Sequence, residues 1–204
     1  MIQLPRLYAI LDASCFTSSE RLFEAAEELV AGGVTLLQYR NKRGSSRQML
    51  EQAQGVKERV GAACKLIMND RADLCVAAGY GGVHLGQDDL SPGSARKIIG
   101  DQRWLGISTH VPSQVTEADR TDADYLAIGP VFMTTSKADP DAVIGLGGVR
   151  QARGLTGRPL VAIGGITTAN CRAVIEAGAD SVAVISGLMK DPRKSAEEFL
   201  RVLR

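Results

Sequence analysis

Two stretches of this chain concentrate side chains that handle anions and cations. Gln38-Tyr39-Arg40-Asn41-Lys42 places a donor at every second position, and alternate residues of an extended chain share one side. Gln38, Arg40 and Lys42 then face one way. The guanidinium can grip a phosphate through two bonds, and the ammonium acts as a point charge. Asn69-Asp70-Arg71 and Gly86-Gln87-Asp88-Asp89 supply carboxylates. Mg²⁺ takes one or two carboxylates and completes its shell with water and substrate phosphates. Basic and acidic groups meeting at one rim therefore suit a metal-bridged polyphosphate better than either set alone. Each stretch also has a plainer reading. An isolated R-x-K is more often a solvated loop. Asp70 could cap a following helix, and Asp88 and Asp89 could lie in a loop or cap before Pro92.

Further along, Ser108-Thr109-His110 offers hydroxyls and an imidazole, and Thr134-Thr135-Ser136-Lys137 puts three hydroxyls and an ammonium in one loop. Ile163-Gly164-Gly165-Ile166-Thr167 and Val184-Ile185-Ser186-Gly187 bring glycine, which lets backbone N–H groups approach a phosphate closely. His84 sits within an apolar run and reads as a hydrogen-bonded wall residue; His110 reads either as an acid–base group or as a structural one. No Ser/His/Asp or Cys/His arrangement is evident. Lys65 stands at the wrong end of its strand for a Schiff base, and Asp12 has no obvious acid–base partner.

The elements that must position these groups are legible as repeats. Apolar runs at 7–12, 35–40, 65–69, 82–85, 104–108, 125–129, 160–164 and 181–185 are continuous, as for parallel strands buried on both faces. Amphipathic stretches at 19–31, 46–60, 71–78, 92–99, 112–121, 147–154, 167–177 and 192–203 alternate with them. Ser91 before Pro92, Asp191 before Pro192, and Thr167-Thr168 carry helix-start chemistry. Eight strand–helix repeats predict an α/β fold, a (β/α)8 TIM barrel, as one domain over 1–204. Chemistry in such barrels collects at the carboxyl ends of the strands, where every stretch named above falls. An open doubly wound sheet is the weaker alternative, since no dinucleotide fingerprint follows a strand. Gly145-Leu146-Gly147-Gly148 is glycine-rich, but no clear strand leads into it, which argues against a nucleotide cradle.

Composition narrows the function classes. With 24 Lys+Arg against 23 Asp+Glu the net charge is +1, which excludes a general nucleic-acid binder or a polybasic membrane-surface protein. No apolar run approaches the roughly 20 residues of a membrane span, and no leader pattern opens the chain. The four cysteines, Cys15, Cys64, Cys75 and Cys171, show no metal-ligand spacing and suit a reducing cytoplasm. With only nine aromatics among 204 residues, the core is expected to be aliphatic. No oversized apolar patch fixes an assembly state, so a homo-oligomer stays open.

The ordered set Gln38-x-Arg40-x-Lys42, Asn69-Asp70-Arg71-x-Asp73, Gly82 to Asp89, Gly106-Ile107-Ser108-x-His110, Gly129-Pro130-Val131-Phe132 with Lys137, Ile163-Gly164-Gly165-Ile166 and Ile185-Ser186 spans the chain. Together these residues resemble the thiamine-phosphate synthase family, within the group it shares with the thiazole tautomerases. That resemblance implies a Mg²⁺-dependent transferase acting on small molecules. It joins a hydroxymethylpyrimidine diphosphate to a thiazole phosphate, giving thiamine phosphate and pyrophosphate by dissociative displacement. It also implies Gln38, Tyr39, Arg40, Asn41, Lys42, Asn69, Ser108 and Lys137 on the pyrimidine diphosphate, with Arg40, Lys42, Ser108 and Lys137 as the catalytic set. Asp70 and Asp89 match metal ligands. Thr134, Thr135, Ser136, Gly165, Ile185 and Ser186 match the thiazole-phosphate site. The family usually shows Thr-x-Thr-Lys where this chain has Thr134-Thr135-Ser136-Lys137, so Ser136 keeps a hydroxyl and loses a methyl. A thiazole tautomerase would keep the phosphate site without the full metal and diphosphate set. A non-catalytic binder of thiamine phosphates would need no paired carboxylates.

Overall fold

Burial on both faces is what makes the strands read as unbroken apolar runs. In β1 (Leu7–Asp12), Leu7, Ala9 and Leu11 pack outward under the helices, while Tyr8 and Ile10 point into the barrel. A computed structural model describes residues 2–134 and 142–204. The remaining strands are β2 (Leu36–Arg40), β3 (Lys65–Asn69), β4 (Gly82–Leu85), β5 (Trp104–Thr109), β6 (Tyr125–Ile128), β7 (Leu160–Ile163) and β8 (Ser181–Val184). All pair in parallel and in sequence order, and β8 returns to β1 to close the barrel. The fold is thus the expected (β/α)8 barrel.

The helices are α1 (Ser19–Ala31), α2 (Ser46–Val60), α3 (Ala72–Ala77), α4 (Pro92–Ile99), α5 (Pro112–Asp119), α6 (Gly145–Leu155), α7 (Cys171–Glu176) and α8 (Pro192–Leu203). Ser91 and Asp191 cap α4 and α8 as their chemistry predicts, each accepting from a backbone N–H three residues on. Helix α7 starts at Cys171 rather than at residue 167. The Asn170 side chain accepts the Thr167 N–H at 2.8 Å and donates to the Gly165 carbonyl at 3.1 Å, holding residues 167–170 in a turn. Gly145 to Gly148 form the first turn of α6, not a nucleotide cradle. Among the described residues, no helix is long and apolar enough to cross a membrane.

The aliphatic-core expectation holds by number but not by size. Four tyrosines, Tyr8, Tyr39, Tyr80 and Tyr125, rank among the largest fully buried side chains. Each hydroxyl has a partner, as a buried phenol requires. Tyr39 donates to Gln52 Oε1 at 2.7 Å, Tyr80 to the Ala53 carbonyl at 2.9 Å, and Tyr8 and Tyr125 meet at 3.0 Å inside the barrel.

Candidate active site

The carboxyl ends of β1 to β5 enclose a polar lobe of about 980 Å³, and those of β5 to β8 a smaller, mainly apolar lobe of about 180 Å³. Ser108 and His110 line both. The two lobes are therefore neighbours at one mouth, with β5 as the partition.

Alternation along β2 carries Gln38 and Arg40 to the barrel side; Arg40 lines the polar lobe, Gln38 lies beneath it at 2% exposure, and Lys42 continues past the strand end onto the lobe wall. Arg40 forms an ion pair with Asp12, its register neighbour on β1. Asp12 is only 3% exposed, and its other oxygen accepts Ser14 N–H at 2.9 Å and Ser14 Oγ–H at 2.7 Å. Both ends of the guanidinium's anchor are thus fixed. Lys42 Nζ lies 2.6 Å from Asp70 Oδ2. The structure discards the capping role for Asp70: α3 has Arg71 at its N-cap position, with no side-chain cap. Asp70 instead adopts φ +61°, a conformation that aspartate tolerates better than most residues.

Burial raises the Asp70 pKa above the ordinary carboxylate range, Lys42 pulls it down, and the adjacent Asp89 pushes it up again. Asp89 is fixed in turn, its Oδ2 accepting the Gly86 N–H at 2.7 Å. Ser91, not Asp88 or Asp89, caps α4; Asp88 stays exposed on the lobe wall. Two carboxylates held side by side at the cost of mutual repulsion form a donor set that fits a divalent cation completing its shell with substrate and water. Asn69 Nδ2 is buried without a hydrogen-bond partner among the described residues, and Asn69 lines this lobe. A buried amide of that kind suits a ligand oxygen.

Of two further expected contacts, Tyr39 sits differently, while Asn41 lines the polar lobe. The Tyr39 side chain turns to the helix side of β2, where its hydroxyl meets Gln52. Asn41 donates to the same Gln52 oxygen at 2.9 Å and accepts the N–H groups of Arg43 and Gly44. Their side chains shape the loop that carries Lys42. His84 is the hydrogen-bonded wall residue foreseen, 8% exposed between Tyr125 and Ser108. His110 Nδ1 donates to the Gly129 carbonyl at 2.7 Å. Sequence reasoning assigned no role to Asp12, Tyr8 or Tyr125. Their signal was position alone, on the inward register of β1 and β6.

The smaller lobe is built on glycine. Gly164 and Gly165 have φ +104° and +63°, and the N–H of Phe132 bonds the Gly164 carbonyl at 3.0 Å, tying the loop after β6 to that after β7. The Gly165 N–H has no partner among the described residues, and Ile185 and Ser186 close the far wall. Thr134 lines this lobe. Thr135, Ser136 and Lys137 lie outside the described residues.

The chain is similar to known proteins over nearly its whole length. A family profile described as Thiamine monophosphate synthase matches residues 7–188. The thiamine-phosphate synthase of Koribacter versatilis (strain Ellin345) is 58% identical over 205 aligned residues, covering 99% of this chain and 97% of that protein. That of Chloroflexus aurantiacus is 44% identical, covering 97% and 92%. The structure of thiamine phosphate pyrophosphorylase from Pyrococcus furiosus superposes with a TM-score of 0.86 at 32% identity, covering 97% of this chain and 95% of that one. With a match over nearly the whole barrel and a majority of residues shared with one relative, the chain belongs to the thiamine-phosphate synthase family.

Proposed function

We propose that this chain couples a hydroxymethylpyrimidine diphosphate to a thiazole phosphate, releasing pyrophosphate and yielding thiamine phosphate. The observation that carries this reading is the pair of adjoining lobes. One holds two cationic side chains beside two carboxylates, the other a glycine-walled pocket, and both open onto Ser108. Two anionic substrates held in that way face each other across β5, which supplies the proximity an intermolecular coupling needs.

In the reaction the bond from the pyrimidine methylene to the diphosphate oxygen breaks, and a bond from the methylene carbon to the thiazole nitrogen forms. The leaving pyrophosphate takes the electron pair. Arg40 and Lys42, with Lys137 from the loop after β6, stabilise the growing negative charge on the leaving oxygens. Asp70 and Asp89 would hold Mg²⁺, which when bound supplies further charge neutralisation at the diphosphate. Asn69 and Gln38 orient the pyrimidine half, and Gly165, Thr134, Thr135, Ser136, Ile185 and Ser186 hold the thiazole phosphate. No side chain needs to act as nucleophile or general base in this displacement. The reading includes a cytoplasmic setting, where the four unpaired cysteines stay reduced.

The test is a coupling assay with both purified substrates, with and without Mg²⁺, detecting thiamine phosphate. Metal-dependent product is expected. Interconversion of thiazole tautomers without coupling would move the chain to the isomerase branch, and binding of thiamine phosphate without either activity would make it a binder.

One consequence concerns Asp12. A hydrogen bond between charged groups is worth about 1.5–3 kcal/mol. Asp12→Asn keeps an acceptor for Ser14 but removes the charge that aims Arg40. The KM for the pyrimidine diphosphate should rise at least tenfold, with the thiazole-phosphate KM within twofold. Steady-state kinetics with each substrate varied in turn would check this; an equal rise in both would mean that Arg40 serves the whole mouth.

A further inference from the structure

Beneath the mouth, four hydrogen bonds run in series across the barrel interior. Gln38 Nε2 donates to Tyr8 Oη at 2.8 Å. Tyr8 Oη lies 3.0 Å from Tyr125 Oη, Tyr125 Oη lies 3.1 Å from His84 Nδ1, and His84 Nε2 lies 2.9 Å from Ser108 Oγ. The two ends, Gln38 and Ser108, are residues that the proposed function sets against the pyrimidine. The three middle residues are at most 8% exposed and have no place in the chemistry described so far.

We propose that Tyr8, Tyr125 and His84 are positioning residues, whose hydrogen-bond chain couples the amide of Gln38 to the hydroxyl of Ser108 so that the two ends present opposite hydrogen-bonding senses to the pyrimidine ring. This rests on the reading that those two ends meet the ring.

The coupling follows from proton counting. A phenol carries one proton, and a neutral imidazole carries one N–H. Tyr125 is completely buried, so its proton must go to Tyr8 or to His84, because a buried donor without an acceptor is costly. Burial also raises the pKa of both phenols, which keeps those protons in place. If Tyr125 donates to His84 Nδ1, then Nε2 carries the N–H and donates to Ser108. The Ser108 hydroxyl proton is left for the mouth. Tyr8 then donates to Tyr125 and accepts from the Gln38 amide, leaving the Gln38 carbonyl oxygen as an acceptor. Reversing any single link reverses them all, and both ends exchange sense. In the arrangement observed, Gln38 donates into the chain. The mouth is therefore offered an acceptor from Gln38 and a donor from Ser108. An aminopyrimidine presents the complement, an amino donor beside a ring-nitrogen acceptor. A ring with oxygen in place of the amino group presents an acceptor beside an N–H, the wrong pattern for this polarity.

The barrel makes room for the chain at one place. A Cβ on Gly106 would run into the Tyr125 ring and hydroxyl and stand 2.5 Å from His84 Nδ1. Glycine on this inward position of β5 is what allows the phenol and the imidazole to meet. The rings also pack, Tyr125 over His84 at 5.5 Å between centroids and edge-on to Tyr8 at 6.1 Å.

The experiment measures both KM values, and discrimination between the aminopyrimidine diphosphate and its oxo analogue, in wild type, Tyr125→Phe and Gly106→Ala. Phenylalanine keeps the packing and removes the link; alanine forces the link apart and deletes no polar atom. Each variant should raise the pyrimidine-diphosphate KM about tenfold, leave the thiazole-phosphate KM within twofold, and narrow the amino-over-oxo preference by a similar factor. In a Ser108→Ala background, Tyr125→Phe should add a clearly smaller effect than in wild type, because only the Gln38 end is then left to steer. A Tyr125→Phe enzyme of unchanged melting temperature and unchanged kinetics overturns the proposal. So does one in which both KM values rise equally, or in which the effect persists in full without Ser108. A wild type that makes no thiamine phosphate overturns the functional reading as well, and is recognised before any substitution is tested.

Discussion

Asp70→Asn and Asp89→Asn should each lower turnover at least a hundredfold at a fixed, low Mg²⁺ concentration. They should also raise the Mg²⁺ concentration needed for half-maximal rate. A charge contribution of about 3 kcal/mol from a metal at a developing anion corresponds to that factor, since each 1.4 kcal/mol is about tenfold. Asparagine is the right probe at both positions. It shares aspartate's tolerance of positive φ, so the bend at Asp70 survives, and at residue 89 it retains an oxygen for the Gly86 N–H. Stability argues the same way. The Asp70 pKa is raised in the folded state, so the protonated form favours folding, and that contribution is lost as pH rises through the raised value. At neutral pH the ionised carboxyl is therefore a cost that asparagine removes. The Lys42 partner is half exposed, and its ion pair contributes little in return. Without Mg²⁺ the Asp70→Asn melting temperature should match or exceed that of wild type. With Mg²⁺ wild type should gain stability and the variants should not, because a ligand that binds only the folded state stabilises it. Unchanged Mg²⁺ dependence of both rate and melting in the two variants would sink the metal assignment.

The barrel was legible because its strands are buried on both faces, which writes each one as a continuous apolar run, and because helix starts such as Ser91-Pro92 and Asp191-Pro192 are local chemistry. The rim was legible for a related reason. Side chains at strand ends are free of packing duties, so Arg40, Lys42, Asp70 and Asp89 stood out as charged residues with no helical face to occupy. Excluding a cap at Asp70 needed the backbone, since both readings place a carboxylate just before a helix. What hides in a sequence is pairing across strands. Asp12 and Arg40 are 28 residues apart, and only the β1–β2 register sets them side by side. Tyr8 and Tyr125 are separated by 117 residues, and each alone reads as one more aromatic in a core. Tyr39 misled in the opposite direction: it lies between two inward residues, and strand alternation itself turns it toward Gln52.

The second large effect should come from a single methyl group at Gly165. The residue has φ +63°, where an alanine carries a backbone cost of about 1–2 kcal/mol. An added Cβ would also collide with the Met133 carbonyl oxygen and stand 2.8 Å from Phe132 Cβ. Those neighbours are backbone and the root of a side chain, and neither can swing aside cheaply. Residues 131 and 132 are moreover clamped to β7 and its loop, Val131 N–H on the Ile163 carbonyl at 2.9 Å and Phe132 N–H on that of Gly164. Gly165→Ala must therefore displace the loop that leads to Thr134, or displace itself from the smaller lobe. Either movement spoils the phosphate cradle that the proposed function places there. The thiazole-phosphate KM should rise about a hundredfold or more, equivalent to about 2.7 kcal/mol, with the pyrimidine-diphosphate KM changed less than threefold. Gly154→Ala is the matched control. It lies within α6, and a Cβ there meets nothing within 4 Å, so the helix should be stabilised by up to about 1 kcal/mol and the kinetics left alone. Equal losses for both substrates in Gly165→Ala, at a temperature where the variant is folded, would mean that the glycine turn shapes the whole mouth. The division of the mouth into two substrate lobes at β5 would then fall with it.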